Sequence, residues 1–254
     1  IESLMDRMVE EDKKFRYSVA WIDSLDKKGR GILTTGDHAF LNDISNNNHE
    51  FNSLDPLYYN NNLVPSAPSF FPNGILNNFT VGIFNKAWFA KSPTLLEGEL
   101  QTINSFFYPL DGVQNWNRIY GPNGFLQYQF VIPDNQTQLI PKIINSFREI
   151  GVPSFLTVLK RFSDRENGPL SFPLKGWTLA TDFPAKKSAL MSKLDDLDNL
   201  IAQAGGRIYL AKDSRQSSSI SKKTYERYDE WKLEKRKLDP FNLFKSDLSR
   251  RLKI

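Results

Sequence analysis

The chain has 254 residues, 40% hydrophobic and 13% aromatic, and its 33 basic and 29 acidic side chains give a formal net charge of +4. That is enough apolar material for one large domain or two smaller ones, and the mild basic excess suits an anionic ligand or membrane surface but falls far short of a nucleic-acid signature. The absence of cysteine excludes disulfides, thiolate metal sites and a cysteine nucleophile, and two histidines, His38 and His49, argue against a histidine-rich metal site or a serine triad.

No stretch approaches the roughly 20 apolar residues of a membrane span. The opening IESLMDRMVEEDKKF carries charges where a signal peptide is apolar, so a cytoplasmic or membrane-peripheral location is expected. The same segment predicts a short amphipathic helix with Ile1, Leu4, Met5 and Met8 at helical spacing. YSVAWID and GILTTGD predict a hairpin around LDKKGR. From Asn42 to Pro72 the chain is crowded with Asn, Ser and Pro and has no sustained period, which predicts a long excursion of the kind that carries function when ordered.

LLEGELQTINSFFY, residues 95–108, has β-favouring stretches and predicts a further strand. GFLQYQFVIP, between a glycine turn and a proline stop, predicts a strand with Leu126, Tyr128, Phe130 and Ile132 on one face and Phe125, Gln127, Gln129 and Val131 on the other. The first face is core; the second sets two amides between large apolar residues, which is neither an ordinary buried face nor an ordinary wet one. A helix follows with Leu139, Ile143, Ile144 and Phe147 as its stripe and Gly151 as its stop. PSFLTVLKRF and GWTLATDFP predict strands, and KKSALMSKLDDLDNLIAQAGG predicts a helix on Leu190, Leu194, Leu197 and Ile201 that closes on glycine. RIYLAKDSR reads as strand-like. Ser217 to Ser219 offer an N-cap for one helix over ISKKTYERYDEWKLEKRKLDP, ended by Pro240. Helices between strand pairs without a regular βαβ beat predict an α+β fold built on a mainly antiparallel sheet.

Neither a dinucleotide fingerprint nor a phosphate loop is present. The sequons at Asn78 and Asn135 are chance-level patterns, His38 reads as a polar loop residue, and the basic run from Lys232 to Arg251 reads most simply as a solvated helix and terminus, with attraction to anionic lipid the weaker alternative. More informative is a set of strands that each carry a polar group inside an apolar run: Gln127 and Gln129, Lys160 in FLTVLKRF, Thr178 and Asp182 in GWTLATDF, and Lys212 in IYLAKDSR. Each alone is explained by a snorkelling lysine or an internally paired group. Together they describe a sheet face of amides, ammonium groups and a hydroxyl, which suits a polyol or phosphate ligand better than a core.

FFPNGILNNFTVG, FYPLDGVQNWNRIYGPNGFLQYQFVIP, SFLTVLKRF, GPLSFPLKGWTLATDFP, AGGRIYLAKDSR and LDPFNLFKSDLSRRL resemble the decaprenylphosphoryl-β-D-ribose 2-oxidases, flavoenzymes of the vanillyl-alcohol oxidase type. The likeness runs from about YSVAWID to the C-terminus. A related sugar or aldonolactone oxidase is the near alternative. A flavin-free module that binds a glycolipid phosphate is the alternative from another class, and a structural domain with internally paired strand groups is a third.

The resemblance implies a substrate domain over residues 1–207 and a C-terminal segment, 208–254, that docks on an FAD-binding domain. The segments that hold FAD would precede this chain, so the 254 residues alone are expected neither to bind FAD stably nor to turn over. It further implies oxidation of a sugar hydroxyl to a ketone, with a lipid-linked pentose as substrate, a partner epimerase or reductase, peripheral contact with a membrane and no nucleic acid. By the same likeness Lys212 is the catalytic lysine beside flavin and ligand, and Tyr209 lies next to the cofactor. Gln127, Gln129 and Lys160 line the sugar pocket. Thr178 and Ala180 stand where relatives carry Asn and Cys, and Phe107 and Tyr108 where they have tyrosine followed by histidine. A tail deprived of its partner domain is expected to leave Tyr225, Tyr228 and Trp231 unusually exposed or packed on a neighbouring molecule.

Overall fold

The computed structural model describes residues 1–43, 65–164, 168–185 and 188–254. The greater part of the predicted excursion, with His49, lies outside the described residues. Six strands form one antiparallel sheet in the order β2-β1-β4-β5-β3-β6: β1 is Tyr17–Ile22, β2 Gly31–Gly36, β3 Phe125–Pro133, β4 Thr157–Phe162, β5 Gly176–Pro184 and β6 Arg207–Ile208. The α+β expectation is therefore met. The β3–β5 pair runs the full length of both strands, with Phe125 opposite Pro184 and Pro133 opposite Gly176.

Alternation decides the two faces. Tyr128, Phe130 and Ile132 from β3, Leu159 from β4, and Leu179 and Phe183 from β5 point to one side and are buried. Over them lie α4 (Leu139–Glu149), through Ile140, Ile143, Ile144 and Phe147, and α5 (Ser188–Gln203), through Leu190, Leu194, Leu197 and Ile201. The N-terminal helix α1 (Glu2–Glu11) adds Met5 and Met8. Each such side chain contributes roughly 1.5–3 kcal/mol relative to exposure. At the start of β5, Gly176 has φ +152° and a Cβ there would stand 2.0 Å from the Ile132 carbonyl oxygen, so only glycine lets β5 lie this close to β3.

Helix α2 (Asn78–Lys91) has no counterpart among the predicted elements. It is capped by Asn77 and Thr80 in a reciprocal capping box and anchored by buried Asn85, whose Nδ2 donates to Asp23 at 2.7 Å. With Tyr120 and Phe155 it forms a smaller apolar cluster against Phe125 and Leu156, at one end of the sheet's second face.

Three local expectations are corrected. Residues 95–108 form no strand: α3 (Ile103–Phe107) occupies their end, because the Thr102 hydroxyl accepts from Ser105 N and caps a short helix before Pro109. RIYLAKDSR is strand only at Arg207 and Ile208; beyond them the chain turns, with Lys212 N donating to Tyr209 O at 3.1 Å and Asp213 N to Leu210 O at 3.3 Å. The long C-terminal helix is two, α6 (Ser218–Thr224) and α7 (Tyr228–Leu238), followed by α8 (Asp247–Leu252). The break falls where Tyr225 turns inward and its hydroxyl donates to Ile208 O at 2.7 Å. Tyr225 and Tyr228 are accordingly buried, contrary to the exposure expected of them, and Trp231 is half-buried.

Candidate functional site

The second face of the sheet carries the polar set. Because Gln127 pairs with Asp182, Gln129 with Ala180 and Val131 with Thr178, the odd residues of β3 share a face with the even residues of β5. Val158 opposite Ala180 and Lys160 opposite Thr178 extend that face onto β4. Tyr209, whose backbone N–H donates to Gln129 O at 2.9 Å, extends it past β6. The structure thus brings Gln127, Gln129, Lys160, Thr178, Ala180 and Tyr209 onto one contiguous surface, and Lys212 follows on the turn beyond.

The amides are partly satisfied from within. Gln127 Nε2 donates to Asp182 Oδ1 at 2.7 Å, and Gln129 Nε2 donates to Thr178 Oγ1 at 3.2 Å. Internal pairing is therefore real, and it has a consequence: holding each NH₂ end against β5 leaves both carbonyl oxygens as acceptors with no protein donor among the described residues. Lys160 and Lys212 form no ion pair or side-chain hydrogen bond among the described residues, although the charge of Lys212 reaches Asp182. Crowding by surrounding protein pushes the Lys160 ammonium below the ordinary lysine value. Cation and acceptor groups on an open face with a packed core behind it can hold hydroxyls and an anion together.

Gln129 also borders a cleft of about 510 Å³ lined by Phe162, Phe172, Tyr209, Leu210 and Tyr225, in which Phe172 and Tyr209 stack at 4.5 Å. Phe107 meets the ring of Tyr17 edge-on at 4.9 Å; Tyr17 alternates in step with Trp21, which stands opposite Val158, so Phe107 borders this same face at its β1 edge, and Tyr108 is exposed. His38 accompanies them, its Nε2 3.0 Å from the Tyr17 hydroxyl.

Four residues beyond those that the resemblance assigns to the site, Asp182, Asp213, Arg215 and Arg251, shape it. Asp182 is fully buried, and burial, opposed by the Gln127 hydrogen bond and the Lys212 charge, raises its carboxyl from 3.8 to about 6. The Lys212 turn is clamped by Asp213, whose Oδ1 accepts from Arg215 N at 3.0 Å and Gln216 N at 2.8 Å while Oδ2 meets Arg251 Nη2 at 2.8 Å. Arg251 comes from α8, so the basic end of the chain is in part a fastening of this turn. Asp182 sat in plain view as a polar residue inside GWTLATDF. The partnership of Asp213, Arg215 and Arg251 carried no local signal.

Since the folded state holds the Asp182 proton more tightly than the unfolded chain, the contribution of this carboxyl to stability is complete below pH 3.8 and is lost as pH rises through about 6. Asp182→Asn, which keeps an acceptor for Gln127 but no charge, is therefore expected to stabilise the protein at pH 8 by about 2–3 kcal/mol, with the gain vanishing near pH 4. Urea denaturation at both pH values measures it; equal stability at pH 8 would show that the carboxylate is not strained by burial.

No family model matches the chain. Among curated proteins it is 37% identical over 246 residues to the decaprenylphosphoryl-beta-D-ribose oxidase of Mycolicibacterium smegmatis, an alignment covering 96% of this chain and 52% of that protein. It is 28% identical over 258 residues to an uncharacterized protein in the mprA 5′ region of Streptomyces coelicolor, covering 99% of this chain and 70% of that one. The chain thus spans about half the length of the named oxidase. Across nearly all of its own length it is similar in sequence to decaprenylphosphoryl-β-D-ribose oxidase, as the quoted blocks of β3, β4, β5 and the Lys212 turn led one to expect.

Proposed function

We propose that these residues form the substrate-binding part of an FAD-linked oxidoreductase that converts a sugar CH–OH to a ketone, with a polyprenyl-phosphate pentose as substrate. The observation that carries this reading is the single open face on which two glutamine carbonyls gather with two lysines that form no ion pair among the described residues, in a chain 37% identical to a protein named decaprenylphosphoryl-beta-D-ribose oxidase. The face also fits one wall of a flavin site: it is open, it is flanked by the stacked Phe172 and Tyr209 rings, and Lys212 offers a cation at its rim. Tyr209 and Lys212 are the residues that would lie against the cofactor, which when bound supplies the acceptor for the hydride leaving the carbinol carbon.

The protein's own work is placement and charge. The Gln127 and Gln129 carbonyl oxygens accept from sugar hydroxyls and select which carbon is presented. Lys160, whose ammonium is held below the ordinary lysine value by the surrounding protein, meets the phosphate or a ring oxygen. Lys212 holds the negative charge that develops on the carbinol oxygen as its proton passes to solvent and the hydride leaves the carbon. Residues 208–254 serve as a C-terminal segment that docks on the flavin-binding part. The strongly exposed Leu238, Phe241, Leu243 and Phe244 support that assignment, whereas Tyr225 is already packed beside the Gln129 cleft and Tyr228 is buried within the segment.

The test is the absorption spectrum of the complete gene product mixed anaerobically with a short-chain prenylphosphoryl-β-D-ribose. A bound flavin that bleaches on mixing is the expected result. A protein that binds the sugar phosphate and carries no flavin would replace this reading with that of a glycolipid-binding module.

A further inference from the structure

The Gln127–Asp182 pair contains more than a hydrogen bond. Asp182 Oδ1 accepts from Gln127 Nε2 at 2.7 Å, and Oδ2 is buried with no hydrogen-bond partner among the described residues. The Tyr120 hydroxyl likewise has no hydrogen-bond partner among the described residues, and burial, then the nearby Asp182 charge, raises its phenol well above the ordinary value. The groups facing this carboxylate are thus Gln127 from β3, Tyr120 from the turn before β3, and the ammonium of Lys212 from the turn after β6. From the β4 side the Leu156 carbonyl accepts from Asp182 N at 3.2 Å, and among the described residues no charged group from that side reaches the carboxyl.

We propose that Asp182 is a positioning residue whose charge state selects which end of the Gln127 amide is turned toward the sugar, making ligand recognition on this face proton-linked. The inference rests on the sugar-binding reading above. An ionised carboxylate can only accept, so Gln127 must give it the NH₂ end and show Oε1 to the ligand as an acceptor of a hydroxyl proton. A protonated carboxyl has an O–H to donate; its best partner is Gln127 Oε1, and the amide then turns over and presents NH₂. With the carboxyl raised to about 6, the exchange falls within the range of pH that a cell traverses.

The complete flavin-loaded protein provides the test, with short-chain prenylphosphoryl-β-D-ribose as probe. Its phosphodiester does not titrate between pH 5 and 8. KM is expected to rise about tenfold as pH falls from 8 to 5, with kcat showing no matching break, since one recognition hydrogen bond is exchanged for a mismatched one. Asp182→Asn is expected to flatten that dependence. In the parent protein, calorimetry in two buffers of different ionisation enthalpy should show about half a proton released on binding at pH 6 and none at pH 8. This last measurement decides the matter even if the variant misfolds. A pH-independent KM with normal sugar-dependent bleaching, or an Asp182→Asn protein that keeps the dependence, overturns the inference and leaves the oxidase reading standing. Proton-linked binding without bleaching does the reverse.

Discussion

Replacing Lys212 with Ala in the complete, flavin-loaded protein is expected to slow sugar-dependent flavin reduction by roughly 10²–10³-fold, the effect of removing a preorganised charge from the place where charge develops. The reasoning begins with what Lys212 does not do. It is exposed, sits on a turn held by backbone bonds from its own N–H to Tyr209 O and from Asp213 N to Leu210 O, and makes no ion pair among the described residues. The turn's shape is fixed by Asp213 and Arg251, so truncating the neighbouring lysine leaves the backbone where it is. Its ammonium is therefore available to a ligand, and among the described residues its charge acts on Asp182, on the same face. Stability should change by no more than about 0.5 kcal/mol, as for other exposed positions. Anaerobic stopped-flow reduction of parent and variant by the same sugar measures the effect; a rate within threefold of the parent would remove Lys212 from the catalytic role.

What the sequence revealed of this site, and what it hid, divide along a physical line. GWTLATDFP gave β5 with both ends correct, because glycine and proline punctuate an alternating run. Periodicity likewise showed that Gln127 and Gln129 share a face. Their partners on β5 were hidden, since register across strands some 50 residues apart depends on connections that carry no local pattern. RIYLAKDSR has the composition of a strand, but the Asp213 carboxylate claims the backbone N–H groups of Arg215 and Gln216 and bends the chain into a turn. YERYDEW has helical spacing, but burying Tyr225 against Ile208 outweighs continuity of the helix. Helix α2 was missed because it is apolar on most sides, with Phe79 and Ile83 exposed opposite buried Val81 and Asn85 and with Phe84 and Trp88 partly exposed beside them. Its one legible signal was the Asn77, Thr80 capping pair.

The second large effect lies behind the site. Arg215→Met is expected to destabilise the protein by about 3–5 kcal/mol at pH 8, because it strands a buried anion. Arg215 meets Asp198 at 2.6 Å and Leu194 O at 3.0 Å, pairs with Asp195, and lies over the Tyr128 ring, whose hydroxyl donates to Asp198 at 2.8 Å. Tyr128 is the core-facing neighbour of Gln127 and Gln129, so the network ties β3, α5 and the Lys212 turn to one another. Burial raises Asp198 from 3.8 to about 6 even with Arg215 pulling the other way. Without the guanidinium the carboxyl rises further, so the folded state's excess proton affinity grows and the defect is largest above that higher value. The loss should therefore shrink markedly at pH 5, where Asp198 is neutral in the folded variant. Adding Asp198→Asn should restore more than half of the stability at pH 8, since no uncompensated charge then remains. Urea midpoints of the two single variants and the double variant at both pH values measure this cycle. A loss below 1 kcal/mol at pH 8, or a double variant no more stable than Arg215→Met, would mean that the packing of α5 rather than this ion pair holds β3 in place.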